Sequence, residues 1–106
     1  MSFHKNTEEL VNGVCMLEYS HARENWGKTY HSLHEGWAVL KEEVEEADFR
    51  HKQILHLVDD VWEIIKAYGN VDNTLKHVQK YAIQAMMELA QVWAVCEKMK
   101  KGEVKE

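Results

Sequence analysis

The chain has 106 residues, 45% hydrophobic and 29% charged, with 18 acidic against 13 basic side chains and a net charge of −5. This is the composition of one folded domain over residues 1–106 rather than of a disordered tail. Its acidity speaks against a partner such as a nucleic-acid duplex, whose phosphates call for the opposite balance.

The opening segment, Met1 to Asn6, has no apolar stretch of the kind a signal sequence carries. No run approaches the ~18 apolar residues of a membrane span. The two cysteines, Cys15 and Cys96, fall among apolar neighbours. They read as free buried thiols of a reducing compartment, with one disulfide as the alternative. A cytoplasmic location is expected.

There is no proline, and the glycines are few, so long helices are expected. The first starts at Asn6, where Glu9 completes a capping-box-like pair, and fades near Asn25–Gly27. Its apolar face is Leu10, Val14 and Leu17. Ser32 followed by Glu35 opens a second helix. Trp37, Leu40, Val44, Ala47, His51, Ile54, Val58, Val61, Ile65 and Tyr68 then recur in steps of three and four. That is a heptad seam. Gly69–Asn70 is the expected left-handed cap, and the unbroken helix measures ~50 Å.

A third helix starts near Asp72 or Asn73, with a seam of Leu75, Val78, Ala82, Ala85, Leu89, Val92, Cys96 and Met99. Lys98, Lys100 and Lys101 complement its dipole, and Gly102 stops it. No segment alternates like a strand. The expected fold is all-α. Ile83, Met86, Ala90 and Trp93 form a further apolar row; unless the first helix covers it, a three-helix monomer leaves Ile83, Met86 and Trp93 partly wet, and such rows mark interfaces. We therefore expect a homodimer that completes a four-helix or larger bundle.

The chemistry concentrates in Lys41-Glu42-Glu43-Val44-Glu45-Glu46. Glu43 and Glu46 share one helix face, where like charges repel unless a cation lies between them. Mg²⁺ takes such hard carboxylate oxygens and keeps further positions for water and phosphate. The plainer reading is a solvated acidic face. His31, His34 and Glu35 do not form the H-E-x-x-H arrangement of a zinc hydrolase, and no Gly-rich phosphate loop is present.

The stretch from His31 to Glu46, H-S-L-H-E-G-W-A-V-L-K-E-E-V-E-E, resembles the first metal-binding helix of the MazG-like, all-α nucleoside triphosphate pyrophosphatase superfamily. It is similar to short phage-type members in particular. Tyr81-Ala-Ile-Gln84-Ala-Met-Met87 resembles a later helix of the same proteins. The resemblance implies Mg²⁺, with Mn²⁺ as a substitute, held by an E-E-x-x-E motif and a second E-x-x-D motif. It also implies cleavage of a nucleotide substrate between its α- and β-phosphates. Glu43 and Glu46 then match metal ligands, and Glu42 matches a supporting carboxylate that orients water. Arg50 or Lys41 is placed to meet phosphate, Trp37 or Trp93 to stack on the base, and Tyr81 to touch substrate.

The second motif departs from the family pattern. Tyr81 and Gln84 stand where its carboxylates belong. Gln84 then offers a neutral oxygen, and Glu88, on the same polar row, becomes the third carboxylate. A hairpin turning near Val71 sets Glu46 opposite about position 96, an offset of ~12 Å from Glu88. On that register the second helix breaks near Phe49–Gln53, or the facing helix comes from a dimer mate, or no site forms. Three functions follow: a Mg²⁺-dependent nucleotide pyrophosphohydrolase, a catalytically silent MazG-like homologue acting as an oligomeric binding or scaffold protein, or a helical interaction module.

Overall fold

The computed structural model describes residues 3–26 and 30–100. It contains three helices, α1 (Lys5–Trp26), α2 (Leu33–Lys66) and α3 (Asp72–Lys100), and no strand among the described residues. The all-α expectation holds. Gly27 and Gly102 lie outside the described residues. Among the described residues no helix is long and apolar enough to cross a membrane.

Local chemistry accounts for the helix ends. Helix α1 begins one residue earlier than its capping signal suggests, because the His4 side chain takes the cap. Its Nδ1 accepts from the Asn6 N–H at 3.3 Å, and its carbonyl accepts from the Glu8 N–H. At α2 the Ser32 Oγ accepts from the Glu35 N–H at 3.1 Å, as the sequence indicates. The Asn70 side chain accepts from the Asp72 N–H at 2.8 Å and so opens α3.

The turn between α2 and α3 corrects two expectations. The Tyr68 N–H donates to the Ile65 carbonyl and the Gly69 N–H to that of Ile64, the paired bonds of a Schellman cap. The left-handed residue is Tyr68, at φ 56°, and not Gly69. Gly69 serves closeness instead: a Cβ there would lie 2.8 Å from Ile64 Cγ2. The chain thus reverses around Ala67 and Tyr68, about one helical turn before Val71. Gly36 consequently faces Met99, whose side chain would touch a Cβ at position 36 at 3.0 Å. The ~12 Å offset disappears, and α2 runs unbroken through Phe49–Gln53.

Packing is uneven. Helix α3 meets both α2 and α1, whereas α1 and α2 do not meet among the described residues. The small side chains of Ala90 and Ala94 lie buried, as do Cys15 and Tyr19 of α1, so the two helices approach closely. The core sits at this end, with Tyr30, Ala47, Val95 and Lys98. Between Ala47 and Ala90 no residue is buried. The radius of gyration, 17.5 Å, exceeds the ~13 Å expected of a compact chain this long. Both cysteines are free.

Candidate metal centre

The new register brings α2 and α3 together at their carboxylates. Glu43, Glu46 and Glu88 each place an oxygen within 4.8 Å of the others. Glu43 and Glu46 share a face because they are three residues apart on α2, and Glu88 meets them from α3.

The electrostatics are those of charges crowded together. Burial first, then Glu46, Glu88 and Glu42, pushes the Glu43 carboxyl up to about 7. The Glu46 carboxyl is raised chiefly by a hydrogen bond with Glu88, then by slight burial and the Glu88 charge, while Arg50 opposes the rise. Two carboxylates bond to one another only by holding a proton between them, which is the alternative to holding a cation. Glu43 Oε2, Glu88 Oε2 and Gln84 Oε1 are buried without a hydrogen-bond partner among the described residues. Buried acceptors of this kind cost stability unless a water, a proton or a ligand satisfies them.

The donor set fits a hard divalent cation. Mg²⁺ takes oxygen ligands of this kind, and the carboxylates would draw closer together to hold it. Three carboxylates would more than offset a divalent cation's charge, and Gln84 lies one turn before Glu88 on α3 with its Oε1 buried.

Two cavities flank the cluster. The smaller, about 520 Å³, is lined by Glu42, Glu45, Glu46, Phe49, Arg50 and Glu88. Arg50 is held there through its Nη1, which donates to Gln53 Oε1 at 3.1 Å. The larger, about 770 Å³, lies between α1, Tyr30 and the facing ends of α2 and α3. Glu42 and Glu43 form one wall, Tyr19 and Tyr30 supply aromatic surface, and Lys98 closes it. Only 5% exposed, Lys98 sets its ammonium 4.1 Å from the centre of the Tyr30 ring. Burial, with Glu43 and Glu35 nearby, pushes the Tyr30 hydroxyl up to about 12.

The residues singled out in the sequence thus divide. Glu42, Glu43, Glu46, Glu88 and Arg50 converge on the site. Trp37 lines neither cavity; it is 59% exposed, with the Lys41 ammonium over its ring. Tyr81 lines neither cavity and is half-buried on α3. Sequence reasoning missed Tyr19, Tyr30 and Lys98. Lys98 looks like a helix-end charge, and the tyrosines belong to segments whose docking no local pattern specifies.

No protein-family model, curated protein or solved structure matches the chain.

Proposed function

We propose that the protein is a Mg²⁺-dependent nucleotide pyrophosphohydrolase, releasing a nucleoside monophosphate and pyrophosphate from a nucleoside triphosphate, and that it acts as a homodimer. The supporting observation is the meeting of Glu43, Glu46 and Glu88 within 4.8 Å, with orphaned oxygens, between two cavities. Glu43, Glu46 and Glu88 would hold Mg²⁺ or Mn²⁺, with Gln84 as a neutral donor. When bound, the cation supplies positive charge to the phosphates and acidifies a water.

The chain's own groups do the rest. Glu42, which borders both cavities, orients the attacking water. Arg50 offers a planar fork to phosphate oxygens from the smaller cavity. The larger cavity, at about 770 Å³, lies in the range of small-molecule sites and takes the nucleoside. Tyr30 stays protonated at neutral pH, so its hydroxyl donates. Lys98 brings a buried positive charge toward the polyphosphate. The unfavourable clustering of carboxylates is thereby turned into affinity for a metal–nucleotide complex.

A second reading is favoured by one observation: Tyr81 and Gln84 occupy the carboxylate positions of the second motif, leaving three acidic ligands. On that reading the chain is a silent relative that binds metal without turnover. Incubation with a panel of nucleoside triphosphates, with Mg²⁺ and separately with Mn²⁺, decides between them. Pyrophosphate release that is lost in Glu46→Gln supports the enzyme. Mn²⁺ binding without any pyrophosphate from the parent protein sinks it and leaves the silent relative.

A further inference from the structure

Helix α2 carries the lysines Lys41, Lys52 and Lys66 and a single arginine, Arg50. Each lysine pairs with a carboxylate about one turn away: Lys41 with Glu45 at 3.7 Å, Lys52 with Asp48 at 2.8 Å and Lys66 with Glu63 at 2.9 Å. Arg50 is the exception. Glu46 lies four residues before it, the favourable order for a helical ion pair, and both residues line the smaller cavity. Among the described residues, however, no carboxylate forms an ion pair with Arg50.

The guanidinium is held from another side. Its Nη1 donates to Gln53 Oε1 at 3.1 Å, and the centre of the Phe49 ring lies 6.0 Å from it. Arg50 and Gln53 are both half-buried, which restricts where each can turn. An amide oxygen and an aromatic face attract a guanidinium without cancelling its charge. Glu42, Glu45, Glu46 and Glu88 share the cavity with Arg50, so an untethered arginine there would turn onto a carboxylate and be neutralised.

The facing helix adds no competitor. Gly36 faces Met99, and Glu46 meets Glu88. Continued along the hairpin, that antiparallel register sets Gln84 and Tyr81 level with Arg50 and Gln53. Neither is a carboxylate.

We propose that Gln53 is the positioning residue of a phosphate subsite: it holds Arg50 off the surrounding carboxylates, with its charge intact, for the oxygens of a phosphate chain. The inference rests on the phosphate-bearing substrate proposed above. Gln53 takes a single N–H of Arg50, and the remaining donors still form a fork for phosphate oxygens. The neutrality of position 53 is the essential feature. Glutamate has the same shape and would hold the guanidinium more firmly, but it would cancel the charge that the phosphate requires.

Calorimetric titration of inorganic pyrophosphate into the full chain in millimolar Mg²⁺ tests the proposal, beside steady-state turnover of nucleoside triphosphates. Gln53→Leu removes the acceptor and is expected to weaken pyrophosphate binding about tenfold, raising KM more than it lowers kcat. Gln53→Glu weakens binding at least as much, while its ion pair with Arg50 keeps the melting temperature at or above the parent's. A merely structural Gln53 predicts a harmful leucine and a harmless glutamate. In an Arg50→Met background, Gln53→Leu has no further effect on affinity. Equal affinity in the parent and Gln53→Glu overturns the proposal, as does a leucine effect that persists without Arg50, or a parent that binds no pyrophosphate. Turnover that is the same in the parent and both Gln53 variants overturns it too, and leaves the enzyme reading standing. A parent that binds pyrophosphate with the expected responses but turns over no triphosphate supports the role of Gln53 and sinks the enzyme reading alone.

Discussion

Replacing Glu43 with glutamine isolates the electrostatic strain of the carboxylate cluster. The Glu43 carboxyl moves from an ordinary 4.5 to about 7 in the folded chain. The native state therefore binds this proton more tightly than the unfolded state does. Its stabilising contribution is complete below pH 4.5 and is lost as pH rises toward 7. At ~1.4 kcal/mol per pH unit the full loss is about 3 kcal/mol. Partial exposure of Glu43 screens this to ~1–2 kcal/mol. At ~4–8 °C per kcal/mol, the parent melts ~4–16 °C lower at pH 8 than at pH 4.5 on this account. Glu43→Gln carries no charge at either pH, so it melts above the parent at pH 8 and has a flatter profile. Thermal melts followed by circular dichroism in chelator-treated buffer give the comparison, and the parent-minus-variant difference cancels the histidines. A difference that is constant from pH 4.5 to 8, or a variant less stable than the parent at pH 8, refutes the reasoning.

Millimolar Mg²⁺ or Mn²⁺ should raise the parent's melting temperature at pH 8 by mass action, ~2.7 kcal/mol at one hundred times the dissociation constant, and should leave Glu46→Gln nearly unmoved in the same melts. Lys98→Ala should cost both pyrophosphate release and folding stability, whereas Trp37→Ala should leave release per folded dimer within about twofold, since Trp37 lines neither cavity; steady-state kinetics separates the two. Tyr68 is 98% exposed and held at φ 56°, so Tyr68→Gly should stabilise by ~0.5–1 kcal/mol in denaturant titrations. Gly69→Ala should destabilise by ~1–3 kcal/mol, because its Cβ would meet Ile64 Cγ2 at 2.8 Å.

What was legible in the sequence was local. Ser32 and Glu35 mark the start of α2 because the bond between them spans only three residues, and the apolar period carries both long helices. The pairing of Glu43 with Glu46 is equally local. The register between α2 and α3 was not legible, because it depends on which residue of the turn takes the left-handed conformation. Gly69 advertised that role, but a glycine can instead supply closeness, and Tyr68 took the strain. Lys98 and Tyr30 were hidden for a different reason. Their pairing at 4.1 Å arises only when α1, Tyr30 and the end of α3 dock, and no periodicity within one segment encodes that.

The reversal at Ala67 to Val71 lies ~30 Å from Glu46 along α2. The two helices act as the arms of a calliper whose pivot is this turn and whose jaws are Glu46 and Glu88. Exposed loop tips ordinarily absorb insertions at little cost. Here a single residue added to the start of α3 would swing Glu88 by ~100° and carry it off the jaw. A stretch remote from every charged group of the cluster thus has its length dictated by them, and the spacing of the three carboxylates is set at the far end of the molecule.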